Sequence, residues 1–343
     1  MRLKETVFKT AFAAAVICSV PMMATSCGGN SSSSDKSSDK QEKVDEKGKG
    51  PGGIQLGAVP KGGPAVDKSG DSTLQAMIKT IVPEFKQFEY KDAETGKTMK
   101  YNLFSPKDID KTKKYPLVLF IADASTPGED VTKPLTQGYG ALVWATQESQ
   151  SKNPCYVLVP QFSGVAVDDN YDKTDEVDMA IKLLKSIVAD NNVDSNRLYT
   201  TGQSMGGMIS MYYNVTYPDI FAASIFVDCH WDTAIFDNLV KHKFVYFIAG
   251  DQGKAYKCLD SLEAAARKEG VNYTLAEWSA KLPESQQSEM AATYLEKGAP
   301  VNIFEFEPKT VLPEDGKGSE HMYSFDYAYK IKSVRDWLFK QSK

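Results

Sequence analysis

The chain has 343 residues, with 40 Lys and Arg against 45 Asp and Glu, which gives a formal net charge of −5. This weak negative charge and the scattered positions of the lysines argue against nucleic acid as a partner. After the N-terminal segments described next, residues 71–343 are long enough for one large domain, and no internal repeat divides them.

The first 27 residues resemble a bacterial export signal. Basic residues precede an apolar run from Ala11 to Ala24, and this run is too short to span a bilayer. Small residues then lead to Cys27, as in the lipobox of bacterial lipoproteins. We therefore predict an exported protein with a lipid anchor at Cys27 that holds it at the cell envelope. Simple secretion is the alternative.

Residues 28–70 are rich in Ser, Lys, Asp, Gly and Pro, with only isolated apolar side chains. Such a segment buries too little apolar surface to offset the entropy of ordering, so we predict a flexible linker.

The folded part begins with elements that have clear sequence signals. Asp71 starts a short amphipathic helix, and two runs of alternating apolar residues joined by residues 93–97 predict a β-hairpin. Continuous apolar runs are typical of strands buried on both faces of a mostly parallel sheet. They occur at residues 116–122, 156–159, 224–227 and 244–249.

Helices are predicted between these strands. The clearest covers residues 174–191 and leads directly into a strand at residues 198–201. A second covers residues 260–268, with Asp260 as N-cap, and a last one covers residues 327–339. The alternation predicts an α/β fold of parallel βαβ units, whose active sites lie at the carboxyl ends of the strands.

The strand at residues 198–201 is followed by Gly202-Gln-Ser-Met-Gly206 and a helical segment. A G-x-S-x-G sequence alone is weak, but between a strand and a helix it predicts the nucleophile elbow of an α/β-hydrolase. There Ser204 stands clear of the backbone, and the flanking glycines avoid clashes in the tight turn.

A serine nucleophile needs a histidine base, itself oriented by a carboxylate. His321, placed in a loop before the last helix, is the base that fits the chain order serine, acid, histidine. His230 is the alternative base, although it and Trp231 follow a strand end and are better explained as walls of the substrate pocket. His242 lies among lysines, and we expect it at the surface.

The acid is expected at a strand end beyond the serine. Asp251 follows the strand at residues 244–249 and is our predicted acid, although an Asp-x-Gly sequence also suits an ordinary turn. Asp260 is the alternative, but the helix that it begins explains it.

The oxyanion of the intermediate requires N–H donors. We predict the backbone N–H of Met205 and, by position after the strand at residues 116–121, that of Ala124. The neighbouring carboxylate of Asp123 would then have to point away from the oxyanion.

The domain resembles exported bacterial esterases grouped with poly(3-hydroxybutyrate) depolymerases and prolyl-oligopeptidase-type hydrolases. The resemblance implies hydrolysis of esters, such as acyl groups on polysaccharides or short-chain esters, by Ser204, Asp251 and His321. The matching segments are Thr95-Gly-Lys with Tyr101, and residues 114–120, 157–161, 196–207, 250–251, 276–278, 320–322 and 334–339.

Two other functions stay open. A prolyl-oligopeptidase-type peptidase is disfavoured because no large propeller precedes the domain, and a surface binding protein without chemistry would keep the same fold. We predict no metal, since no histidine and cysteine spacing suggests zinc, and we predict no cofactor. The expected partners are a small-molecule or carbohydrate ester and, through the lipid, the membrane.

Two further features complete the sequence analysis. The segment at residues 273–299 is long enough to form a lid over the site. Cys155, Cys229 and Cys258 are either buried thiols or include one disulfide.

Overall fold

The structure is a computed structural model, which describes residues 65–250 and 253–343. The predicted export signal, linker and lipid-bearing Cys27 lie outside the described residues. Nine strands form one sheet. They are β1 (Lys86–Lys91), β2 (Thr98–Phe104), β3 (Tyr115–Ile121), β4 (Tyr156–Pro160), β5 (Val193–Gln203), β6 (Ala223–Val227), β7 (Phe244–Ala249), β8 (Tyr273–Trp278) and β9 (Val301–Phe306).

The α-helices connect and cover these strands, with short 3-10 turns at Val82–Glu84 and Thr233–Ile235. Within the described ranges, no helix combines the length and the apolar character that crossing a bilayer requires. The helices are α1 (Ser72–Ile81), α2 (Lys133–Thr136), α3 (Tyr139–Leu142), α4 (Gln147–Lys152), α5 (Asp175–Asp190), α6 (Met205–Thr216), α7 (Phe236–Leu239), α8 (Lys254–Lys257), α9 (Leu259–Lys268), α10 (Glu284–Leu295), α11 (Glu320–Lys330) and α12 (Lys332–Phe339).

The strand order is β1-β2-β4-β3-β5-β6-β7-β9-β8. The hairpin β1–β2 and its junction with β4 are antiparallel, and every pairing from β4 to β8 is parallel. The predicted hairpin and mostly parallel sheet are thus confirmed. In the parallel part the carboxyl ends of β3, β5, β6 and β7 lie at one edge, where their following loops meet.

The sheet is buried on both faces. Along β3, Leu117 and Leu119 belong to one apolar cluster with α5, α6 and α9, whereas Val118 and Phe120 belong to a second cluster with α1, α10, α11 and α12. Because alternate side chains of a strand point to opposite faces, a strand covered on both sides needs apolar residues at every position. This explains why the sequence of β3 is continuously apolar.

Three sequence-based predictions differ from the structure. Cys258, not Asp260, occupies the N-cap position of α9, and Asp260 lies in its first turn. The last predicted helix is two helices, α11 and α12, which break at Ile331, where the backbone is extended. His321 is consequently the second residue of α11 and not part of a loop.

The predicted lid is also not what the segment at residues 273–299 forms. Its first part is β8, which pairs with β9 along its whole length at the edge of the sheet. Its second part is α10, which packs against β8, β9 and α12. The segment therefore extends the sheet and covers it.

Candidate active site

Ser204 lies at the turn between β5 and α6. Its backbone has φ 50° and ψ −121°, a left-handed conformation that costs a non-glycine residue about 1–3 kcal/mol. The turn is held by the Ser204 N–H, which donates to the Val227 carbonyl of β6 at 3.0 Å. The predicted strand, tight turn and helix are all present, so the hydroxyl is placed at the carboxyl edge of the sheet.

The two glycines of the motif are required for different reasons. A Cβ on Gly202 would come within 2.3 Å of the Gly206 backbone, so this glycine permits the tight turn itself. A Cβ on Gly206 would lie 1.9 Å from the Ile121 carbonyl oxygen. Gly206 therefore lets the first turn of α6 approach the end of β3, which brings the loop after β3 beside the serine.

One imidazole joins the serine to a carboxylate. The His321 Nε2 lies 2.9 Å from the Ser204 Oγ, and the His321 Nδ1 lies 2.5 Å from the Oδ2 of Asp228. A carboxylate can only accept, so Nδ1 carries the proton and Nε2 is left to accept the serine hydroxyl. The ring edge packs on Phe325, with centroids 5.1 Å apart and planes at 84°. This arrangement is able to deprotonate the hydroxyl.

The carboxylate in contact with His321 is that of Asp228, so the sequence-based assignment of Asp251 is corrected. Asp251 lies outside the described residues, and the ring nitrogen that an orienting acid would hold is bonded to Asp228. Asp228 directly follows β6 at φ 40° and is 3% exposed. Its Oδ1 accepts the Ala249 N–H at 3.0 Å, and its own N–H donates to the Phe247 carbonyl. The neighbouring strand β7 thus fixes its orientation.

Electrostatics favour the protonated form of His321. Burial alone lowers the pKa of the imidazole, but the hydrogen bond and charge of Asp228 raise it, with further contributions from Asp123 and Asp169. The net effect is a His321 pKa above its ordinary value of 6.5. A base with a raised pKa holds the serine proton more firmly once it has accepted it.

The two predicted oxyanion donors belong to the first turn of α6 and to the loop after β3. Among the described residues, neither the N–H of Met205 nor that of Ala124 has a hydrogen-bond acceptor. Met205 is the first residue of α6, so its N–H belongs to the positive end of the helix dipole. Free N–H groups at a helix N-terminus suit an anion.

Asp123 is buried, and its carboxylate is turned towards Gln137 and Gln203. The expectation that this carboxylate points away from the predicted oxyanion donors stays a prediction.

An aromatic group borders the site on the side of the loop before α5. Tyr171 contacts both His230 and Trp231, at centroid distances of 5.8 and 5.4 Å. Trp231 is only 6% exposed and packs against Tyr171 from the protein interior, whereas Tyr171 and His230 are partly exposed. The same loop touches the nucleophile turn, where the Ala166 N–H lies 3.3 Å from the Met205 sulfur.

A charged group continues this border. One Asp169 oxygen lies 3.1 Å from the His230 Nε2, and the other lies 2.6 Å from the Lys254 Nζ. Burial lowers the pKa of His230, and the positive charge of Lys254 lowers it further. The hydrogen bond and charge of Asp169 raise this pKa but do not outweigh the lowering. His230 is bonded to Asp169 rather than to Ser204, so the structure does not bring the alternative base to the nucleophile.

Sequence reasoning missed Asp228 and Tyr171. The signal for Asp228 was present, because an aspartate directly after β6, beside the nucleophile strand, is as well placed as one after β7. Tyr171 has no comparable signal, since its ring reaches the site through a left-handed backbone, φ 67°, in an irregular loop.

The thiols of Cys155, Cys229 and Cys258 are buried, and none of them forms a disulfide in the described part of the chain. In the described ranges, no cluster of three or more His, Cys, Asp or Glu is placed to hold a metal ion.

Comparison with known proteins adds structural relatives. No protein-family model matches the sequence, and no curated protein matches it. A thermostable esterase of known structure is 26% identical with a TM-score of 0.63, over 77% of this chain and 64% of its own. The chain thus spans less than two thirds of that esterase. The feruloyl esterase module from Clostridium thermocellum, complexed with sinapinate, is 12% identical with a TM-score of 0.51, over 83% of this chain and 96% of its own. The predicted α/β-hydrolase fold and the resemblance to that superfamily are confirmed.

Proposed function

We propose that this member of the α/β-hydrolase superfamily is a serine hydrolase that cleaves carboxylic ester bonds. The observation that carries the proposal is the His321 imidazole, bonded on one side to Ser204 and on the other to Asp228. The similarity to a thermostable esterase supports an ester as the substrate.

The proposed reaction passes through an acyl-enzyme. Ser204 Oγ attacks the ester carbonyl while its proton moves to His321 Nε2, and the N–H groups of Met205 and Ala124 receive the oxyanion. When the intermediate collapses, the bond to the alcohol breaks and His321 returns the proton to the leaving oxygen. Water then attacks the acyl group in the same manner, which releases the acid and restores the serine. Asp228 keeps the imidazole in the required tautomer throughout.

The test is Ser204→Ala with p-nitrophenyl acetate as substrate. Loss of the nucleophile should reduce kcat by about 10⁶-fold, as expected when a triad member is removed. The matched control is Ser186→Ala on α5, whose hydroxyl donates to the exposed Asp190 and which should keep wild-type turnover. A fluorophosphonate probe should label the wild type and the control but not Ser204→Ala. Wild-type turnover by Ser204→Ala, with an intact fold by circular dichroism, would refute the proposal.

The acyl group of the substrate is proposed to rest against Tyr171 and His230. These partly exposed rings border the site, and the fold neighbour from Clostridium thermocellum holds sinapinate, an aromatic acid. Acylated sugars with aromatic or short-chain acyl groups, compared with Pro-linked amides, separate an esterase from a peptidase. Tyr171→Ala should raise KM for esters of aromatic acids more than for acetate esters of the same alcohol. Equal changes in KM would contradict the placement of the acyl group.

We further propose that the protein is exported and held at the cell envelope by a lipid on Cys27. The basic residues, apolar run and small residues before this cysteine support the proposal. Cys27→Ser should release the protein from the membrane fraction and abolish incorporation of labelled palmitate. Full retention of Cys27→Ser at the membrane would contradict the anchor.

A further inference from the structure

A carboxylate that the proposed reaction does not use lies buried beside the site. Asp123, two residues after β3, is 2% exposed. Its partners are all neutral. Its Oδ1 accepts the Ser125 N–H at 2.7 Å, and its Oδ2 accepts from the side-chain amides of Gln137 and of Gln203, the latter at 3.3 Å. A buried charge without a cationic partner is costly, so its presence calls for a function.

Asp123 determines which backbone N–H of its loop is free. Its side chain takes the N–H of Ser125, and its carbonyl takes the N–H of Thr126 at 3.3 Å. The Thr126 hydroxyl also donates to that carbonyl, at 3.0 Å. Within the described part of the chain, the N–H of Ala124 is left without an acceptor. The loop is thus closed on Asp123 through the N–H groups of Ser125 and Thr126, and the N–H of Ala124 stays available for an oxyanion.

Asp123 also joins the two segments that supply the predicted oxyanion donors. Ala124 follows β3, whereas Met205 follows Gln203 and Ser204 at the end of β5. The two strands pair in parallel up to Ile121 and Gly202, where the ladder ends. Just beyond this point the Gln203 amide, 1% exposed, bonds the Asp123 carboxylate. This side-chain contact continues the link between the strands into the two turns.

The charge of Asp123 acts on the imidazole as well. Four charged or titratable groups influence His321, namely Asp228 in direct contact, Asp123, Asp169 and His230. Asp123 is one of the three carboxylates that raise the His321 pKa. A negative charge near the ring stabilises the imidazolium that forms when the serine proton is transferred.

We propose that Asp123 is a positioning residue for the proposed ester hydrolysis. Its carboxylate clamps the Ala124 loop to Gln203, which aligns the two oxyanion donors, and its charge stabilises the protonated form of His321. The inference rests on the proposed function and adds to it the residue that assembles the oxyanion site.

Two variants separate the charge from the clamp, with p-nitrophenyl acetate as substrate. Asp123→Asn removes the charge and should shift the acidic limb of the kcat/KM profile to lower pH. Gln203→Leu keeps the charge but breaks the link, so it should lower kcat without moving that limb. Both variants should lower kcat by roughly 10- to 100-fold with little change in KM, since a displacement of about 1 Å from the reacting geometry costs about 10²-fold.

The control is Asp92→Asn. Asp92 is equally buried, at 2% exposure, but it bonds Thr95 of its own hairpin turn and the cationic Lys182 of α5. It should lower stability and leave both kcat and the pH profile unchanged.

A wild-type kcat and an unmoved acidic limb in Asp123→Asn would overturn the inference. If Asp123→Asn does not fold, Gln203→Leu decides, because an unchanged kcat there excludes the clamp. These outcomes are distinct from failure of the proposed function, in which Ser204→Ala itself would remain active.

Discussion

The turn after β5 and the end of β6 use the same backbone device with different sequences. Ser204 and Asp228 each follow a parallel strand and each adopt a left-handed φ, 50° and 40°. Glycines flank Ser204 two residues on either side, whereas Asp228 is followed by Cys229 and His230. Around Ser204, Gly202 permits the tight turn and Gly206 permits the approach of α6 to β3, whereas α6 approaches the residue after Asp228 through its own Gly207, which faces Cys229. A strained functional residue is therefore visible in a sequence only where its surroundings also demand small residues.

Replacement of the acid should reduce turnover more than any other change discussed below. Asp228→Asn should leave the wrong tautomer of His321 facing Ser204 and lower kcat by about 10⁴-fold. Asp251→Asn should have a far smaller effect, because the Nδ1 of His321 is already bonded to Asp228. The measurement is steady-state turnover of p-nitrophenyl acetate by both variants. The reverse order of effects would restore Asp251 as the acid.

The packing around the nucleophile turn gives a second, smaller effect. Gly206→Ala would press a methyl group against the backbone carbonyl of Ile121, which cannot move without distorting β3. Gly207→Ala would meet chiefly the side chain of Cys229, at 2.6 Å from its sulfur. Overpacking costs about 1–3 kcal/mol, and we expect Gly206→Ala at the upper end and Gly207→Ala at the lower.

Urea denaturation of the two glycine variants measures this difference in the free energy of unfolding. Equal losses would show that the helix can shift away from β3, contrary to the contact described.

The pH dependence of kcat/KM should distinguish the roles of His321 and His230, and replacement of His230 should change it least. His321 must be neutral to accept the serine proton, and its raised pKa places the loss of activity on acidification above pH 6.5. The His230 pKa is lowered, so this ring is already neutral over that range. His230→Gln should therefore leave the acidic limb of kcat/KM almost unmoved. A clear shift of the limb in this variant would assign the titration to His230.

Much of this architecture could be predicted from local signals. The continuous apolar sequence of β3 reflects burial on both faces, and the hairpin and the helix beginning at Ser72 follow from short-range patterns. Ser204 and His321 could be found because the motif is local and the chain has only three histidines. The ends of elements were less certain, as at Ile331, where one continuous apolar pattern covers two helices.

The acid and the surroundings of the serine could not be predicted, because tertiary contacts decide them. Asp228 and Asp251 both follow strands whose ends meet at one edge of the sheet, and sequence spacing does not say which reaches the imidazole. The Ala249 N–H of the next strand orients the Asp228 carboxylate. The link between Asp123 and Gln203 likewise joins residues 80 positions apart.

The three buried thiols have a practical consequence. Cys155, Cys229 and Cys258 are free and buried in the described domain. Burial raises the pKa of Cys155 to about 12 and that of Cys229 well above its ordinary value. These sulfurs are therefore poor nucleophiles, and alkylating reagents or dithiothreitol should leave the folded protein unaltered.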